Sequence, residues 1–188
     1  NLTMGIAILD EKRNFIYIND LTTKITGYSL SDIKNIDQWF RRAFPDPTKR
    51  NKLHSSFKNK LANGEHYNRV SKIRTKAGND KFVEFRVNPI GKNYLLVNLV
   101  DVSRRVEREQ EIEYLSYHDS LTELYNRRYF ENEMKRLNNS RRYPISIIIG
   151  DLDNLKTVND NYGHLLGDEY LKKSANILSD LLRAEDII

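Results

Sequence analysis

The chain has no cysteine among its 188 residues. That absence excludes disulfides, thiolate zinc sites and cysteine nucleophiles, and it suits a reducing cytoplasm. No apolar run approaches the roughly 18 residues that a membrane helix needs. The opening "NLTMGIAILDEKR" lacks the charged start and long apolar stretch of a secretion signal. A cytoplasmic protein with no membrane segment is expected. Acidic residues are outnumbered, 26 against 31 basic ones, which leaves a net charge of +5. Such an excess invites a nucleic-acid partner, but its clusters near Phe40, Ser103, Asn126 and Ser140 are scattered and several are separated by acids. Aromatic residues do not interleave with them as on a base-stacking surface. Solvated helix faces, with no nucleic acid bound, are the expectation. What is present, 39% hydrophobic and 30% charged residues, is enough to bury the core of one domain or two small ones.

Three regions differ in texture. From Leu2 to Ser103, "MGIAILD" and "NFIYIND" flank "EKR" and read as a hairpin. Small helical patches follow in "LTTKITGYS" and "SLSDIKNIDQWFRRAF", stopped by Pro45 and Pro47. Leu53, Phe57 and Leu61 then repeat at helical spacing up to Asn63-Gly64. "HYNRVSKIRT", "KFVEFRVNPI" and "NYLLVNLVDV" are strands separated by "KAGNDK" and "GKN". The expected result is a five-stranded antiparallel sheet with helices on one side. "SRRVEREQEIEYLSYH" has no Gly or Pro and reads as a helical linker. Val102, Val106, Ile112 and Leu115 would give it a short apolar stripe. From Asp119 onward the pattern is helix, strand, helix, helix, with "YPISIII" as a buried strand and helices at "LKTVNDNYG" and "GDEYLKKSANILSDLLR". The final "EDII" looks like the opening of another strand without a partner, so this region reads as cut short.

The chemistry concentrates in "DLDNLKTVNDNYGHLLGD", Asp151 to Asp168. Asp151 and Asp153 are separated by one residue, which on an extended backbone puts both carboxylates on one side. Carboxylates at the mouth of a strand suit a hard cation such as magnesium. Lys156, a turn further on, is placed to meet a phosphate oxygen, and the amides opening a helix near Asn154 add an anion-binding end. The plainer alternative has Asp153 capping that helix and Asp151 lying in a loop.

The same stretch resembles the signature of the GGDEF family, the diguanylate cyclases. The upstream "DSLTELYNRRYF" is similar to that family's D-x-L-T-G-L-x-N-R-R-x-F opening. The resemblance covers Asp119 to Ile188 and implies a palm-like α/β fold that condenses two GTP molecules into cyclic di-GMP at a dimer interface. It implies Asp151 and the Leu152 carbonyl as magnesium ligands, and Lys156 as the catalytic lysine on the triphosphate. It further implies that Asn159 and Asp168 hold the guanine edge, with His164 near the substrate. "RAED" is similar to the family's R-x-x-D inhibitory product site, Arg183 with Asp186. Three departures stand out. Asn154 and Leu155 replace a commonly aromatic pair, and Glu123 stands where the opening has glycine. The naming Gly-Gly-acidic-Glu-Phe hairpin is absent, so the fragment itself is expected to be inactive.

"GIAILDEKRNFIYINDLTTKITGYSLSDI" and the exit "DVSRR" resemble a PAS domain. The resemblance implies sensing of a ligand, light, redox state or oxygen, or simple dimerisation. A flavin–cysteine adduct is excluded for want of cysteine, and the PAS ligand is unknown. His54 lies in the right helix for a haem ligand, but on a Lys-rich helix it reads as a surface residue. Trp39, Phe40, Phe44 and Phe57 read as core filling, with pocket lining as the alternative. The domains expected are a PAS sensor at 1–103, a helical signalling linker at 104–117 and the N-terminal part of a GGDEF domain at 118–188. The fold class is therefore α+β joined to α/β. The function expected is a sensor-regulated diguanylate cyclase, a homodimer using Mg2+, GTP and cyclic di-GMP. The alternative is a degenerate domain that binds GTP or cyclic di-GMP as a regulator, or a PAS dimerisation module.

Overall fold

The computed structural model describes residues 4–91, 93–138, 145–183 and 186–188. They form two compact units, Asn1–Arg108 and Glu109–Ile188. The first unit contains β1 (Gly5–Leu9), β2 (Phe15–Ile18), α1 (Asp20–Thr26), α2 (Ile36–Ala43), α3 (Pro47–Ala62), β3 (Tyr67–Arg74), β4 (Asp80–Ile90) and β5 (Tyr94–Asp101). All five strands pair antiparallel in the order β2-β1-β5-β4-β3. The sheet anticipated from alternation is the sheet observed. Ala7 and Leu9 of β1, Val83, Phe85 and Val87 of β4, and Leu95, Val97 and Leu99 of β5 are buried at every second position.

Asn19 shows how the local sequence fixes this unit's start. It caps α1, its Oδ1 accepting from the Thr22 amide at 2.9 Å, and the same oxygen accepts from the Ile6 amide at 2.9 Å. One side chain thus ties β1 to the first turn of a helix. Asp46 caps α3 in the same way, with Pro47 in the first turn, where its missing N–H leaves nothing unpaired. Proline here opens a helix as well as ending the one before it.

The core is a chain of rings. Trp39 meets Tyr28 edge-on at 5.9 Å and Phe85 at 6.0 Å, while Phe40 contacts Phe44 and Phe57, and Phe57 contacts Tyr67. Trp39, Phe40, Phe44 and Phe57 fill the core, as expected, but with Tyr67 and Phe85 they also line an apolar cavity of about 50 Å³. A cavity of about 150 Å³ takes a benzene ring, and this one is smaller than that. His54 departs from the surface position expected. Its side chain is 21% exposed, its ring lies 4.6 Å from Phe40, and its Nε2 is 3.0 Å from Asp37 Oδ1 without hydrogen-bond geometry.

The helix α4 (Ser103–Tyr117) contains the boundary between the two units. Its apolar stripe divides. Val102, just before the helix, is buried, whereas Ile112 is 68% exposed and Leu115 59% exposed. The second unit continues with α5 (Arg127–Asn138), α6 (Leu155–Tyr162) and α7 (His164–Leu181). The start of α7 at His164 precedes the expected start at Gly167, because the helix takes in His164, Leu165 and Leu166.

The strand expected at "YPISIII" is not formed. Tyr143 and Pro144 lie outside the described residues, and the residues from Ile145 to Gly150 have no regular structure. Ile148 and Ile149 are each 93% exposed. A strand exists only through hydrogen bonds to a neighbour, and the second unit has no other strand among its described residues. The final "EDII" likewise forms no strand in residues 186–188. Apolar β-branched residues are necessary for a buried strand but do not supply its partner.

Candidate functional site

The acidic stretch folds as a loop followed by two helices. Asp151, Leu152 and Asp153 precede α6, and Asn154 forms its N-cap with φ 63°, a left-handed conformation that asparagine tolerates. No side chain caps this helix, so the reading of Asp153 as a helix cap is set aside. The first helical hydrogen bond runs from the Val158 amide to the Asn154 carbonyl. The amides of Leu155, Lys156 and Thr157 therefore open the helix without intrahelical partners, an end that favours an anion. Lys156 sits in this first turn, and Asp151 is exposed three residues before Asn154.

Asn159 lies on α6 almost one turn beyond Lys156. Gly163 ends α6 at φ 85° and ψ 162°, a region open essentially to glycine alone, and the chain reverses there into α7 with His164 as its first residue. A Cβ built at Gly167 would lie 1.9 Å from Asn159 Oδ1. The amide of Asn159 thus lies against α7 at the residue before Asp168, and only glycine at 167 permits it. The structure brings Asn159 up to the turn of α7 that carries Asp168. Sequence reasoning missed Gly163 and Gly167, although their four-residue spacing across the helix junction was the available signal.

The expected metal ligands are hard oxygen donors, the Asp151 carboxylate and the Leu152 carbonyl, and in kind they fit magnesium. No group of three or more His, Cys, Asp or Glu able to hold a metal occurs among the described residues. Arg183 and Asp186 form a closed turn. The Arg183 amide donates to Asp186 Oδ2 at 3.0 Å, and the Asp186 amide donates to the Arg183 carbonyl at 3.0 Å. Ala184 and Glu185 between them lie outside the described residues.

The opening "DSLTELYNRRYF" is a second built feature. Asp119 Oδ1 accepts from the Thr122 amide at 2.9 Å, from Thr122 Oγ1 at 2.8 Å and from the Leu121 amide at 3.2 Å. Those hydrogen bonds hold the Asp119 carboxyl below its ordinary pKa. Glu123 closes the turn at φ 60°, where a side chain is strained. The departure from glycine noted at this position is thus a conformational one.

Comparison with known proteins follows the same division. Residues 116–188 match the family model described as "Diguanylate cyclase, GGDEF domain", and residues 15–99 match "PAS fold". The diguanylate cyclase VdcA of Vibrio cholerae is 34% identical over 111 residues, 59% of this chain and 32% of that protein. The probable diguanylate cyclase DgcE of Escherichia coli is 31% identical over 126 residues, 62% of this chain and 11% of that protein. The chain thus spans about a third or less of these relatives' length. An RNA-binding light-oxygen-voltage receptor superposes with a TM-score of 0.52 at 23% identity, covering 62% of this chain and 34% of that one. At that identity the likeness concerns the fold alone.

Proposed function

We infer that this chain, a PAS domain followed by a GGDEF domain, belongs to a sensor-regulated diguanylate cyclase of cyclic di-GMP signalling. The single observation that carries the reading is the α6–α7 junction. It offers an uncapped helix start beside Lys156 and, about a turn away, Asn159 held against α7 next to Asp168. One end suits a triphosphate, and the other suits a base with donors and acceptors along its edge.

In the reaction, the 3′-hydroxyl of one GTP attacks the α-phosphate of a second, and pyrophosphate leaves. Each half of the ring is closed the same way, which calls for two chains facing one another as a homodimer. Lys156 binds the triphosphate as a compact positive charge and stabilises the charge that develops on it. Asn159 and Asp168 orient the guanine, and His164, opening α7, lies beside the substrate. Asp151 and the Leu152 carbonyl would hold Mg2+, which when bound neutralises phosphate charge. Arg183 and Asp186 would form the product-feedback site, the guanidinium pairing with guanine or phosphate of cyclic di-GMP.

The test is conversion of GTP to cyclic di-GMP by the full-length protein with Mg2+, beside Asp151→Asn and Lys156→Ala. Product from the wild type and its loss in both variants are expected. GTP binding without product would favour the second reading, a degenerate domain acting as a nucleotide-binding regulator. Neither binding nor product would overturn both readings.

A further inference from the structure

Where α4 ends and α5 begins, four rings touch in series. Tyr114 stacks on His118 with centroids 3.9 Å apart and planes 13° apart. His118 meets Tyr125 at 4.6 Å, and Tyr125 stacks on Tyr129 at 3.6 Å and 10°. Tyr114 belongs to the last turns of α4 and Tyr129 to the first turn of α5, so the column runs from one helix to the other through Tyr125. Tyr117 packs edge-on against Tyr129 at 5.7 Å and carries the Arg128 guanidinium over its face at 5.8 Å.

Hydrogen bonds close the same junction. The Asn126 amide donates to the Tyr117 carbonyl at 2.8 Å, and its side-chain Nδ2 donates to the carbonyls of Ser116 at 3.1 Å and His118 at 3.3 Å. Asn126 Oδ1 in turn accepts from the Tyr129 amide at 3.1 Å. Arg128 donates to Ser116 Oγ at 2.8 Å. His118 Nδ1 lies 2.9 Å from the Tyr114 carbonyl, an acceptor, so that nitrogen carries the proton and the ring is held in its stacking plane. The last carbonyls of a helix are ordinarily left to solvent or to glycine-type caps. Here those of Ser116 and Tyr117, with that of His118 just beyond the helix, are taken up by Asn126, the residue before α5.

We propose that the column Tyr114–His118–Tyr125–Tyr129 locks the end of α4 to α5 as one rigid joint, and that these rings are positioning residues for the reaction. A rotation of α4 would then be delivered to the second unit without slack. Were the joint loose, the helix could turn while the unit stayed where it was. Tyr125 is the link to cut, because it is 40% exposed and touches both neighbours in the column. The rigid joint stands on its own geometry, and only its consequence for turnover rests on the cyclase reading.

Two variants separate the ring from bulk apolar character: Tyr125→Leu and Tyr125→Phe. In the 188-residue chain, hydrogen exchange at the amides of His118 and Asn126 should quicken about tenfold in Tyr125→Leu and stay at the wild-type rate in Tyr125→Phe. Equal protection in all three proteins would overturn the joint. In the full-length protein, Tyr125→Leu should lower kcat while KM for GTP stays unchanged, and Tyr125→Phe should restore it. Faster exchange with an unaltered kcat would overturn the positioning role. A wild type that makes no cyclic di-GMP would instead sink the cyclase reading, leaving exchange to decide the joint.

Discussion

At the scale of single residues, backbone conformation explains what side-chain chemistry does not. Glu123 is held at φ 60°, where a Cβ crowds the following carbonyl. Glu123→Gly should therefore stabilise the second unit by about 1 kcal/mol, the strain removed being offset in part by glycine's greater freedom when unfolded. Denaturant titration is the check, and a variant no more stable than wild type would show that the turn carries no strain. Gly167 is the reverse case. Its missing Cβ is what lets Asn159 lie against α7, so Gly167→Ala must push that amide away. The expected outcome is weaker GTP binding, about tenfold, as for one guanine hydrogen-bonding group displaced. Calorimetric titration reads it, and unchanged affinity would mean that Asn159 does not meet the base. Both positions carry names that are plain in the sequence. Their roles were not legible there, because a dihedral angle and a contact between helices are properties of the folded chain.

At the scale of elements, α2 and α3 meet at His54. Burial lowers its pKa first, the nearby Lys58 lowers it further, and Asp37 across the helix pair raises it in part. The folded protein thus takes up this proton less readily than the unfolded chain, whose histidine titrates at about 6.5. The stability from this group is fully present above that value and is lost as pH falls through the folded pKa. His54→Phe should flatten the decline in stability between about pH 7 and pH 5. The decline at lower pH should remain, because Asp32 and Asp80 are held low chiefly by Lys76 and Arg74 respectively. Urea midpoints measured across that range decide the matter, and an unchanged slope would remove His54 as its source. Element type was readable where a strand's neighbours follow one another in the sequence, as for β1 and β2 or β3 and β4. "YPISIII" has the right residues for a strand, but among the described residues it has no partner strand, and there the sequence pattern misleads.

At the scale of the whole molecule, the division into two units falls within α4, a helix without buried residues of its own. Its ring contacts, through Tyr114 and Tyr117, are made only near its C-terminal end. Replacing it from Arg104 to Glu113 with Gly-Ser residues should uncouple activity from the signal while both domains stay folded. Turnover in the full-length protein, measured with and without its stimulus, is the check, and intact control would show that regulation bypasses the helix. By itself the sequence determined the two-domain order, the antiparallel sheet and the chemical character of the stretch from Asp151 to Asp168. Those follow from periodicity, turn residues and charge, which are local. Only the tertiary structure decided that Asn159 reaches α7 through Gly167, that His54 is packed on Phe40, and that four rings join α4 to α5. Each of these is a meeting of residues from different elements, and the distance between two elements is set by packing that no single segment encodes.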